Sequence, residues 1–137
     1  MRLVSAIALA LVSASCLAAA PMKPGLWQIT TDVTLPGSDA KIPPVVAQQC
    51  FTAAQLKQTE HPLPAMPGCT LADSKRDGDI TRWRMQCDSE QGKMSAQGEI
   101  RYAPESYSGS ASFTMQEDGK NLTMTHRYRA KRVGACK

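Results

Sequence analysis

Two histidines, five cysteines and a set of arginines are the residues of this 137-residue chain that could do chemistry. A hydrolytic site needs a nucleophile, a base and a group that orients the base. His61 stands in a proline-rich loop between Glu60 and Pro62, where it is expected to be solvated. His126 lies between Met124 and Tyr128 on what alternation makes the dry face of a strand. There it reads either as a base or ligand contact inside a pocket, or as a core histidine bonded to a polar neighbour. No motif supplies either histidine with a Ser/Asp or Cys partner, so no catalytic residue is assigned and the chain reads as no enzyme. Asp77-Gly78-Asp79 matches only a fragment of a calcium loop and is more simply a hairpin turn. Neither a metal nor a cofactor is expected.

The cysteines depend on what happens at the N-terminus. Arg2 is the only charge before Lys23, and Leu3 to Val12 is apolar or small, with a small-residue tail from Ser13 to Ala20. These are the parts of a secretory signal. The apolar run is shorter than the roughly 20 residues a spanning helix needs. A buried N-terminal helix is the competing reading, but no later segment shares this composition. Cys16-Leu17-Ala18 and Leu17-Ala18-Ala19 both offer a peptidase small residues before the cut, and residues 1–19 are taken as the signal. Cys16 behind Ser13-Ala14-Ser15 also admits a lipid anchor, although an aliphatic residue usually stands where Ser13 does. The expected location is the periplasm or beyond, with one β domain over residues 20–137 and no transmembrane segment.

Loss of the signal leaves Cys50, Cys69, Cys87 and Cys136, an even number in an exported chain, which implies two disulfides. Their wide spacing, without C-x-x-C, argues against a zinc ribbon or a thioredoxin-like site. The formal net charge of +4 includes Arg2 and leaves the domain only mildly basic. That balance points away from nucleic acid and toward, at most, weak attraction to anionic surfaces.

The elements that must position these residues are mostly strands. Gly25 to Leu35 alternates, with Trp27, Ile29, Thr31, Val33 and Leu35 on one side. Pro36-Gly37-Ser38-Asp39 breaks it, and Pro43-Pro44 reopens an extended run from Val45 to Phe51. Thr52 to Lys57 reads as a short helix with Thr52 as cap and Gln55 completing a capping box. A loop with Pro62, Pro64 and Pro67 leads to Gly68-Cys69. Beyond it, turns at Asp77-Gly78, Gln91-Gly92, Ala103-Pro104-Glu105 and Asp118-Gly119 separate five strand-length runs, an antiparallel meander. If Asp77-Gly78 is a two-residue turn, Cys69 and Cys87 sit near the same end of paired strands, which suits a bridge and leaves Cys50 for Cys136. A one-residue slip would change the facing atoms, so all three pairings stay open.

One face of the meander carries Trp83, Met85, Met94, Ala96, Ile100, Tyr102, Tyr107, Phe113, Met115, Leu122, Met124, His126 and Tyr128. The other carries Arg82, Arg84, Glu99, Arg101, a ladder of Ser106, Ser108, Ser110, Ser112 and Thr114, then Arg127 and Arg129. One dry and one wet face is the antiparallel pattern. Gly98 and Gly109, mid-strand on the dry face, allow sharp curvature or close approach. A curved sheet, a barrel or half-barrel, is therefore expected, packed on the first strand and the short helix.

Pro24-Gly25-Leu26-Trp27 at the start, Gln49-Cys50 and Gly68-Cys69 in the middle, Trp83 to Cys87, and Arg132-Val133-Gly134-Ala135-Cys136 at the end form a combination. It resembles the domain of unknown function 3617 family. The resemblance implies an exported bacterial protein, sometimes a lipoprotein, with four cysteines, and implies no established activity. Members commonly carry an acidic residue after the tryptophan, where this chain has Gln28.

The leading expectation is a non-enzymatic binding module whose curved sheet holds a small apolar or amphipathic molecule. Trp83, Tyr102, Phe113, His126 and Tyr128 are its candidate contacts, in a setting where methionines could line an adaptable pocket or simply fill the core. The alternative is an envelope structural or interaction protein that meets an anionic partner or lipid surface through Arg82, Arg84, Arg101, Arg127 and Arg129. Those same residues also read as a solvated face that blunts strand pairing.

Overall fold

The computed structural model describes residues 21–59, 61–63, 66–90 and 92–137; the signal and the lipidation candidate Cys16 lie outside them. The described chain forms β1 (Gly25–Thr34), β2 (Val45–Phe51), α1 (Ala53–Gln58), β3 (Cys69–Asp77), β4 (Ile80–Ser89), β5 (Gly92–Tyr102), β6 (Ser106–Glu117) and β7 (Lys120–Gly134). They make one open antiparallel sheet in the order β2-β1-β7-β6-β5-β4-β3. The meander from β3 to β7 is as the turn signals imply. β1, however, does not pack across the sheet. It enters it, pairing with β7 from Leu26↔Gly134 to Thr34↔Thr125. The gain is backbone hydrogen bonding along the free edge of the longest strand, which packing against a face would not supply.

The sheet is curled rather than flat. Phe51 on β2 and Ile100 on β5 share one core cluster. These strands are four steps apart, about 19 Å across a flat sheet at the usual strand spacing, so side chains meet only if the sheet bends. Gly98 helps: a Cβ there would lie 2.9 Å from the Trp83 ring and 2.5 Å from the Ser110 carbonyl. Gly109 is equally crowded by the Glu99 carbonyl and by Ile100. Both glycines let neighbouring strands and the indole approach where any side chain would hold them apart.

The concave face holds two clusters. Met22, Trp27, Phe51, Leu56, Ile100, Tyr102 and Ala130 form the first, Trp83, Met85, Ala96, Ala111 and Phe113 the second. Leu63 packs on both. Helix α1 delivers Leu56 to the first cluster, and it is only six residues long, too short to hold itself. Its capping box does part of the work: Thr52 Oγ1 accepts from the Gln55 N–H at 3.2 Å, and the Thr52 N–H donates to Gln55 Oε1 at 2.9 Å.

Two disulfides close the structure, Cys50–Cys136 and Cys69–Cys87. The second joins residues directly opposite in the β3–β4 hairpin; its two turn residues are Gly78 and Asp79, one position on from the expected Asp77-Gly78, and the register shift between Leu71 and Asp73 sets Cys69 opposite Cys87. The first ties β2 to the segment after β7, on either side of β1.

Candidate functional site

The opening and closing motifs of the family resemblance, with Cys50, come together at one end of the concave face and interlock, while Gly68-Cys69 and Trp83 to Cys87 lie at the other edge of the sheet. Gly25 has φ +148°, and a Cβ there would run into the Gly134 carbonyl and the Arg132 guanidinium. Arg132 Nε donates to the Pro24 carbonyl at 2.8 Å. Trp27, fully buried, donates from Nε1 to the Lys23 carbonyl at 3.2 Å and stacks on Tyr107 with ring centroids 5.7 Å apart. Cys136, two residues past Gly134, bonds to Cys50. The opening and closing motifs are thus two halves of one joint, and their chemistry is packing, capping and cross-linking.

The proline loop runs across the concave face from this joint. Its Pro62 carbonyl accepts from the Tyr102 hydroxyl at 2.5 Å, and Leu63 and Met66 pack on the second cluster. His61 corrects the expectation of a solvated side chain. It is half-buried, stacks on Tyr102 with centroids 4.3 Å apart, and its Nδ1 hydrogen-bonds to Thr81 Oγ1. Thr81 is the buried polar residue among the described residues, so the imidazole supplies a partner that burial would otherwise withhold.

Under Leu63 lies a cavity of about 200 Å³, lined by Ile29, Thr31, Gln49, Phe51, Pro62, Ile100, Tyr107 and Tyr128. It is mainly apolar, with two phenols, a threonine hydroxyl and the exposed Gln49 amide as its polar groups. Burial pushes the Tyr107 hydroxyl up to about 12, with the nearby Tyr128 adding to it. Burial also raises Tyr128 to about 12, and Tyr102 further still. All three are neutral phenols that can donate a hydrogen bond at any physiological pH.

The five candidate ligand contacts share the concave face but divide in role. Tyr128 lines the cavity. Tyr102 is buried in the first cluster, its hydroxyl taken by Pro62. Trp83 and Phe113 fill the second cluster, and Trp83 Nε1 is buried with no partner among the described residues. His126 leans on Phe113 with centroids 4.5 Å apart and lies 3.4 Å from the Tyr128 hydroxyl. Burial lowers its pKa by disfavouring the charged ring. Tyr107, Ile29, Thr31, Gln49 and Ile100 were not among the candidates. Tyr107 carried the same alternation signal as Tyr128, whereas Gln49 and the loop residues carried none.

On the convex face the arginines are largely matched with acids. Arg82 meets Glu99 at 3.1 Å, Arg84 meets Asp73 at 3.2 Å, Arg101 meets Asp79 at 2.8 Å and Arg129 meets Asp32 at 2.7 Å. Arg127 has no ion pair among the described residues. These exposed pairs add little stability, but they cancel most of the positive field that a basic face would need.

Among the described residues no group of three or more His, Cys, Asp or Glu could hold a metal, and no helix is long and apolar enough to cross a membrane. The class these features define is a disulfide-braced, cupped antiparallel sheet with a small apolar cavity on its concave side. The chain belongs to the DUF3617 family, described as proteins of unknown function, whose model matches residues 22–136. No curated protein and no solved structure matches it.

Proposed function

We propose that this protein is an exported, non-enzymatic binding module whose concave cavity takes a small apolar or amphipathic molecule. The observation that carries the reading is the cavity beneath Leu63: mainly apolar walls, with Tyr107 and Tyr128 both among its lining residues. A few polar groups in an apolar pocket are the usual makeup of a small-molecule site. At about 200 Å³ it is somewhat larger than an engineered cavity of about 150 Å³ that binds benzene and smaller than drug-sized sites of about 300–1,000 Å³. A single ring or a short alkyl chain fits, with its polar end at the phenols or at Gln49. Both histidines are engaged in aromatic packing, which supports a binding role over catalysis.

Binding of straight-chain alcohols of increasing length tests this. Affinity should rise by about 0.8 kcal/mol for each methylene buried, then level off when the cavity is full. Thr31→Trp, which places an indole across the lining, should abolish binding while the melting temperature of the free protein is retained. No length dependence, or equal binding to the Thr31→Trp variant, would sink the proposal. The envelope-contact alternative through Arg82, Arg84, Arg101, Arg127 and Arg129 is the weaker reading, because four of these five have a carboxylate partner.

A further inference from the structure

The open sheet has two edges, and they are built differently. An edge strand presents unpaired N–H and C=O groups to any other strand, and proteins guard such edges with charge and with bulges. Strand β3 is guarded in both ways. It carries Asp73, Lys75, Arg76 and Asp77, and its register shifts between Leu71 and Asp73. Strand β2 has neither protection. Its sequence, VVAQQCF, has no charged residue, and its register with β1 runs unbroken from Phe51 to Val45. Val45 and Val46 are 57% and 59% exposed.

We propose that β2 is a self-pairing strand, and that a second copy of this chain adds to it antiparallel, joining two sheets into one. The case for a second copy is that the strand is compatible with itself. A two-fold pairing centred on Ala47 sets Val45 opposite Gln49 and Val46 opposite Gln48, so no like charges oppose one another along the strand and the exposed valines gain cover. The same patch serves both copies, as a closed two-fold interface requires. Because side chains alternate with period two, the concave faces of the copies fall on the same side of the joined sheet. Gln49, a cavity-lining residue, then acquires Val45 of the second copy as its cross-strand neighbour. The inference stands apart from ligand binding and survives its failure.

Sedimentation equilibrium on the processed, oxidised protein tests the pairing. A reversible dimer is expected. Ala47→Lys puts two ammonium groups face to face on the two-fold axis and should weaken the dimer at least about tenfold. Leu71→Lys, on the exposed side chain of the other edge, should leave it unchanged. If Ala47→Lys fails to fold, hydrogen exchange of the unaltered protein takes its place, and the β2 amides should slow as concentration rises. A chain that stays monomeric to about 1 mM, β2 exchange independent of concentration, or equal weakening by the two lysine variants would overturn the proposal.

Discussion

The two ends of the concave face are built on opposite plans. At the closed end, Met22, Trp27, Phe51, Leu56 and Ala130 are buried around a joint of glycines, an arginine and a disulfide. The Lys23 N–H there also donates to the Pro104 carbonyl at 2.8 Å, pinning the entering chain to the β5–β6 turn. At the other end the same face carries Val33, Met94, Met115 and Met124, all only half-buried, and Leu122, 43% exposed. No helix lies over that end among the described residues. The cavity sits between the two ends, where the proline loop crosses. One end therefore specifies the fold, and the other leaves apolar surface free for something to cover.

The comparison is sharpest in the disulfides. Removing Cys50–Cys136 by paired Ser substitutions frees a separation of 86 residues and should cost about 4–5 kcal/mol. Removing Cys69–Cys87, with a separation of 18, should cost about 3 kcal/mol. Urea unfolding of the two variants measures the difference, and equal losses would argue that the closed end is no more decisive than the hairpin. Next comes Trp27→Ala, expected to destabilise by about 3–5 kcal/mol as a fully buried tryptophan at the joint. Met124→Ser, at the open end, should cost only about 1 kcal/mol because its side chain is half-exposed. A Met124 effect as large as that of Trp27 would mean the open end is core after all.

The smallest effect is a pH dependence. Burial depresses the His126 pKa, so the folded state prefers the neutral ring. On acidification the unfolded chain takes up its proton first, near the ordinary histidine value of about 6.5. Stability should thus be flat above that pH, fall below it, and level off once the lower folded value is passed. His126→Gln should remove this part of the slope in melting temperatures measured across that range. An unchanged slope would place the titration elsewhere.

Much of this architecture is legible in the residues themselves, and the exceptions share a cause. Period-two alternation and Asp-Gly turns are local signals, and they mark β4 to β7, the two faces and, to within a residue of register, the Cys69–Cys87 bridge. The Thr52–Gln55 capping box is local as well. The place of β1 is not, since its pairing with β7 spans a hundred residues and leaves no periodic trace. The proline loop has no period to read, so His61 looked solvated although Tyr102 and Thr81 were waiting for it. Ion pairing on the convex face lay between: Glu99 falls on the wet face by alternation, and Arg82↔Glu99 follows from the β4–β5 register. Asp73↔Arg84 follows in the same way from the register that runs back from the β3–β4 turn, whereas the shift between Leu71 and Asp73, which no pattern announces, is what sets Cys69 opposite Cys87. Of the cavity, alternation marks Tyr128, while the lining from β2 and the loop depends on curvature.

The central claim is that the space beneath Leu63 is a binding site, and native mass spectrometry of the protein as isolated from cells addresses it most directly. The account predicts a mass excess over the oxidised chain that disappears on denaturation and is missing from Thr31→Trp. A native mass equal to that of the bare oxidised chain, in protein that also fails to bind the alcohol series, would contradict it and make the cavity a packing gap.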